Sequence, residues 1–267
     1  MPGAGDPQKV PGTERAITVP RGTMHSMSPD LYVIKLGSTL PDLAVRMGDF
    51  EDWIIRGMGV AREVVVVVDP TRGEALPDPA EVAGAVLSGS HAMVTGNEPW
   101  SERTAVWLCD AVALGVPVLG ICYGHQLLAY ALGGEVGDNP LGHELGTVTT
   151  HLTSDAASDP LLGGLGPTIT VHASHAQTVL RLPDGATCLA TSAMDRHMAF
   201  SLGGSAWGVQ FHPEFDAEVG RAYIEAEAAV LAAENQDPVA LLASCVDGPV
   251  GSTILSRFAA LVRARLQ

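Results

Sequence analysis

The chain is predicted to fold as an α/β three-layer sandwich. A mostly parallel central sheet is expected with helices on both faces, beside a smaller antiparallel strand region. Three observations predict this. Short apolar runs alternate with helical patterns over the first half of the chain, which is the signature of parallel strands joined by helices. Five β-branched residues follow one another at Val64 to Val68, as expected of a strand buried on both faces. From Gly146 to Phe211 the runs become short and turn-rich, a pattern of antiparallel strands.

Taken in order, the first 28 residues are rich in Pro and Gly and lack the apolar segment of a secretory signal. A flexible tail is expected there, with Met24 and Met27 as candidate alternative starts. Leu31 to Leu36 (LYVIKL) reads as a strand turning at Gly37-Ser38. Pro41 to Gly57 carries a helical pattern in Leu43, Val45, Met47, Phe50, Trp53 and Ile54. Ala83 to Leu87 (AGAVL) reads as a further strand. Trp100 to Leu114 reads as a helix, with Pro99 before it and Gly115 closing it. Val116 to Ile121 reads as the fourth strand, and Gln126 to Leu132 as a helix closed by Gly133-Gly134.

In the second half, TVTTHLT, TITVHAS, TCLATSA, HMAFSLG and AWGVQF read as strands, several of them antiparallel. Turns are expected at Pro183-Asp184-Gly185 and Gly203-Gly204. Ala217 to Glu234 is Ala/Glu-rich and helical. Gln236 to Ser252 is broken by Pro and Gly and reads as a loop. Thr253 to Leu266 is an amphipathic helix. The expected organisation is a tail (1–28), one domain (29–216) and a C-terminal helical segment (217–267) packed on the same domain.

The chain has 267 residues, 46% of them hydrophobic, and a formal net charge of -15. Such an acidic surface repels nucleic acid and anionic membranes, so neither is an expected partner. The run at Val64 to Val68 is far shorter than the ~20 residues that cross a bilayer. The four cysteines (Cys109, Cys122, Cys188 and Cys245) show no CxxC spacing, which argues against zinc ribbons and a disulfide framework. A reducing, cytoplasmic location is expected. No metal site or cofactor is expected either.

One cysteine stands apart. Cys122 sits in GICYG, at the turn between an apolar strand and a helix. Such a turn throws its side chain over the carboxyl ends of the strands. The helix N-terminus behind it offers free N–H groups and a positive dipole end, which stabilise a thiolate and an oxyanion. A lone cysteine is more often a buried core residue, and Cys109, Cys188 and Cys245 are expected to be that.

A thiolate nucleophile needs a base that can also return a proton. His212 stands at the end of the run Ala206 to Phe211, in WGVQFHPEF. Pro213 stops the strand, and Glu214 is placed to fix the tautomer of His212. Six other histidines (His91, His125, His143, His172, His175, His197) read as loop or strand-end residues, with His175 near the pocket.

GICYGHQLLAYALGG, followed ninety positions later (122 to 212) by GVQFHPEF, resembles the class I glutamine amidotransferases. The likeness is to the glutaminase domain of GMP synthase and to free-standing relatives of it. AVLSGSHAMVT, LGHELGTV and VHASHAQTVLRLPDGA occur in the matching order. The resemblance implies a flavodoxin-like fold and hydrolysis of L-glutamine to glutamate and ammonia through a thioester. It implies Cys122 as nucleophile, His212 as base and acid, and Glu214 as its orienting partner. Backbone N–H groups of Tyr123 and Ser90 would hold the oxyanion. Gln126, Ser174 and His175 would hold the amino-acid end of glutamine.

Two departures stand out. Gly89-Ser90-His91 replaces a Gly-Gly-Pro loop, and Ala176-Gln177 follows Ser174-His175 where Gly-Asp is common. No phosphate-binding loop is present, so any amination is expected on a separate synthase chain. Two other readings remain: a hydrolase for another γ-glutamyl compound, and a non-catalytic binding protein on this fold.

Overall fold

A computed structural model describes residues 30–266. The expected tail and the candidate starts Met24 and Met27 lie outside the described residues. A nine-stranded sheet runs β2-β1-β3-β4-β11-β10-β9-β6-β7. Five of its strands are mutually parallel: β1 (Asp30–Ile34), β2 (Val65–Val68), β3 (Val82–Leu87), β4 (Val118–Ile121) and β11 (Ala206–Val209). The antiparallel strands continue the same sheet: β6 (Glu144–Leu152), β7 (Thr168–His175), β9 (Thr187–Thr191) and β10 (Ala199–Leu202). A separate two-stranded sheet pairs β5 (Glu135–Asp138) with β8 (Gln177–Arg181).

Alternation along the central strands divides the core into two layers. Leu119 and Ile121 of β4 face a cluster built with α2 (Phe50–Met58) and α8 (Val250–Arg265). Val118 faces the opposite cluster, built with α3 (Pro99–Ala113) and α4 (Tyr123–Ala131). A third, smaller cluster joins Leu145 of β6 to α5 (Ala217–Ala226), α6 (Ala228–Ala233) and α7 (Pro238–Ser244). Among the described residues, no helix is long and apolar enough to cross a membrane.

Several expectations are corrected. The valine run is not buried on both faces, because β2 is the edge strand and Val66 is 37% exposed. The long helix at 41–57 is two helices, α1 (Pro41–Met47) and α2. Gly48 at φ 87° ends the first, and Asp49 starts the second with a capping box to Asp52. The expected strand AWGVQF is present as β11, and it joins the two halves of the sheet, parallel to β4 on one side and antiparallel to β10 on the other. The helix after Cys122 begins at Tyr123, one turn earlier than its apolar run suggests. The Ala/Glu-rich helix is interrupted at Glu227, and α7 lies in the expected loop 236–252. Cys109 is exposed and Cys188 half-buried, so only Cys245 of the three supposed core cysteines is buried. His125 lies inside α4, wholly buried against Phe200, and His172 lies within β7.

Candidate active site

The sheet order brings three chain segments together. Strands β3, β4 and β11 are neighbours in parallel register, with Leu87 beside Gly120 and Ile121 beside Val209. Whatever follows each strand must therefore emerge at one carboxyl edge, where α/β sheets bind ligands. Ser88-Gly89-Ser90 follows β3, Cys122 follows β4, and His212 follows β11 by three residues. The Cys122 N–H donates to Val209 O at 2.9 Å, tying the two later segments.

Cys122 adopts φ 50° and ψ -101°, one of three non-glycine residues with positive φ among those described. The turn is tight because its flanking glycines let strand and helix touch. A Cβ on Gly120 would collide with the backbone of Gly124, and one on Gly124 would lie 2.7 Å from Leu87 Cβ. The Cys122 thiol faces the Ser174 carbonyl at 3.6 Å. Behind it, the N–H groups of the first turn of α4 have no intrahelical acceptor.

His212 is held from several sides. Its backbone N–H donates to His172 O at 2.8 Å, which fastens it to β7. Its ring stacks on Phe215 at 4.0 Å and lies 6.1 Å from Phe50. Nδ1 is 2.8 Å from Glu214 Oε1, and both side chains are shut off from solvent. Burial alone would lower the affinity of this imidazole for a proton. The negative charges of Glu214 and of Cys122 beside it overcome that and raise its pKa from 6.5 to about 10. Gly89 closes the arrangement: a Cβ there would lie 2.9 Å from His212 Cε1 and 3.8 Å from Cys122 Cβ.

The structure brings Cys122, Tyr123, Ser90, Gln126, Ser174 and His175 to one pocket of about 190 Å³. The side chain of Gln126 is engaged with Gln177 O (2.7 Å) and Gln210 Oε1 (3.0 Å). The ring of His175 is likewise held, by Glu144 (3.0 Å) and Gln177 O (3.0 Å). In the loop after β3, the Ser88 N–H donates to Ile34 O, and Ser90 lines the pocket. Neither Gly89 nor Ser90 takes a positive φ. His91 and Gln177, from the two departing segments, also line the pocket, and a further wall that the sequence did not mark as pocket-lining is formed by Met93, His143, Tyr223 and Glu227. Tyr223 and Glu227 are four apart at the end of α5, on one helix face, but no local pattern marks that face as pocket-lining.

The family model for glutamine amidotransferase class-I matches residues 47–230. The chain belongs to the class I glutamine amidotransferases. Within this family it is 37% identical over 162 residues to the glutamine-hydrolyzing GMP synthase subunit of Natronomonas pharaonis, covering 60% of this chain and 78% of that one. It is 39% identical over 188 residues to the glutamine-hydrolyzing GMP synthase of Aeropyrum pernix, covering 70% of this chain but only 33% of that longer protein. A crystal structure of a glutamine amidotransferase from Methylobacillus flagellatus superposes with a TM-score of 0.66 at 25% identity, over 89% of this chain and 94% of that one. The matched residues of this amidotransferase include all three segments that meet at the carboxyl edge.

Proposed function

We propose that the chain hydrolyses the side-chain amide of L-glutamine to glutamate and ammonia, with Cys122, His212 and Glu214 as a catalytic triad. One observation carries the reading. A cysteine in a strained strand-to-helix turn lies beside a buried imidazole whose other side is bonded to a buried carboxylate.

The steps follow from these positions. Cys122 Sγ attacks the amide carbon while the thiol proton resides on His212. The carbonyl oxygen becomes an oxyanion facing the N–H of Tyr123 and the N–H groups of the Gly89-Ser90 loop. The C–N bond breaks, and His212 passes its proton to the departing nitrogen, which leaves as ammonia. A water then gives a proton to His212 and attacks the thioester, releasing glutamate and the thiolate. Glu214 holds Nδ1 throughout, so that Nε2 performs both transfers. The raised proton affinity of His212 suits a group that must hold a proton beside a thiolate.

The ammonia is passed to a separate synthase chain. Support comes from the relatives whose names make them subunits of GMP synthase, since the matched part of this chain covers 78% of one and 82% of another. The test is glutamate release from glutamine by the purified chain, with Cys122→Ala as control and γ-glutamyl amines as competitors. Release that survives Cys122→Ala would sink the triad. Preference for another γ-glutamyl amide would reassign the substrate.

A further inference from the structure

The charges on the pocket wall are one-sided. Among its lining residues there is no Lys or Arg, and Glu227 is the sole carboxylate. Its position is fixed by the chain: it ends α5 and starts α6, and its N–H donates to Tyr223 O at 3.0 Å. Tyr223, one turn earlier, is anchored through its hydroxyl to Thr39 at 3.0 Å and lies parallel to His91, ring to ring at 5.8 Å. The wall carrying Glu227 is therefore built, not a loose surface helix.

The Glu227 side chain makes no hydrogen bond or salt bridge among the described residues. The imidazoles that share the pocket wall do not neutralise it. Burial lowers the pKa of His91 below its ordinary 6.5, against the opposing pull of Glu227, so His91 is uncharged at neutral pH. The ring of His143 is taken by Glu234, at 2.6 Å. A half-buried carboxylate facing a pocket without a counter-ion favours a ligand that brings a cation.

We infer that Glu227 binds the α-ammonium group of the substrate and makes the site selective for γ-amides of α-amino acids. This deepens the glutaminase reading and rests on it. Glutamine enters with its amide at Cys122, and its amino end lies along the wall of Tyr223 and Glu227. Glu227 is thus a specificity residue contributed from α5, the helix that follows the His212-Pro213-Glu214 turn. A charged hydrogen bond of this kind corresponds to about tenfold or more in affinity.

The experiment compares L-glutamine with glutaramate, which is glutamine without its amino group. Binding is measured calorimetrically in Cys122→Ala, with and without Glu227→Gln, and hydrolysis is measured separately in the unmodified chain and in Glu227→Gln. The expected result is that Cys122→Ala binds glutamine at least tenfold more tightly than glutaramate. Adding Glu227→Gln erases that gap by weakening glutamine alone, and in the active chain it raises KM with kcat nearly kept. Equal affinities in Cys122→Ala, or equal weakening of both ligands by Glu227→Gln, would overturn the inference. Ammonium-dependent binding without hydrolysis would overturn the catalytic reading and leave Glu227 in its role. Absence of both binding and hydrolysis would overturn both.

Discussion

Nδ1 of His212 lies 2.8 Å from Oε1 of Glu214, and their side chains are 3% and 0% exposed. An ion pair this enclosed is screened by neither water nor salt. It therefore sets how the site responds to pH. Glu214→Gln removes the charge that holds the His212 proton, so the pKa of His212 falls from about 10 toward its ordinary 6.5. The alkaline limb of kcat/KM should move down in pH, and kcat should fall by about 10²-fold or more, the scale of general acid–base catalysis. An alkaline limb that stays in place would show that Glu214 does not govern the proton of His212.

The same shift has a consequence for stability. A pKa raised in the folded state means that folding binds the proton more tightly. The contribution is fully present below pH 6.5 and is lost as pH rises through about 10. Urea unfolding of the unmodified chain and of Glu214→Gln should differ most near pH 6. The two should converge as pH approaches 10. A constant difference across that range would refute the linkage.

Backbone strain at Cys122 gives a third prediction. A non-glycine residue at φ 50° costs on the order of 1–3 kcal/mol, and glycine avoids that cost. Cys122→Gly should therefore be about 1 kcal/mol more stable than Cys122→Ala, with both expected to lose activity. Equal urea midpoints at equal slope would mean that the turn is relaxed.

How legible the site is in the sequence depends on how local its causes are. The turn at Cys122 is readable because apolar strand, glycine, cysteine, glycine and helix are consecutive. His212 and Glu214 are readable for a similar reason, being two residues apart at a strand end. The fold class is readable because alternating strands and helices force a parallel sheet. The edge position of Val65–Val68 is not, since a run of valines reads the same at an edge as in a sheet centre, and strand order is set by crossovers elsewhere. Nor is the pairing of Glu135–Asp138 with Gln177–Arg181, which joins segments some forty residues apart. Tyr223 and Glu227 stay hidden because the helical pattern names the face that packs on β6 and says nothing of its rim.

Asp49 couples the first helices to the site. Its carboxylate accepts from Thr39 N (2.7 Å) and Phe50 N (2.8 Å) and pairs with Lys35 Nζ (2.7 Å), while Phe50 packs near His212. Burial would raise the Asp49 pKa, but Lys35 and the backbone N–H groups prevail and hold it below 3.8. Its contribution is present above pH 3.8 and lost as pH falls further. Asp49→Ala should cost about 2 kcal/mol at neutral pH and reduce kcat through the loosened Phe50. Asp49→Asn, which keeps the cap acceptor and loses the charge, should fall between the two in urea midpoint. An Asp49→Asn as unstable as Asp49→Ala would assign the whole effect to the ion pair.

Glu234 reaches from the end of α6 back to the pocket rim. It accepts from His143 N at 2.9 Å and pairs with His143 Nδ1 at 2.6 Å, and Gln236 Nε2 donates to His143 O at 2.7 Å. His143 lines the pocket, and Glu144, next in the chain, holds His175. The clasp thus fixes one wall from a surface helix. The His143 backbone N–H, then its ring, lower the pKa of Glu234 below 4.5, so the clasp persists above that pH and opens as pH drops through the lowered value. Glu234→Ala should leave global unfolding nearly unchanged, because Glu234 adds nothing to the apolar core. It should raise KM for glutamine and speed amide exchange at His143 and Glu144. The Glu234→Gln variant retains an acceptor for the His143 N–H, so it should recover much of the exchange protection and less of the KM. If exchange at His143 is as slow in Glu234→Ala as in the unmodified chain, the wall is held by β6 alone and the clasp has no part in shaping the pocket.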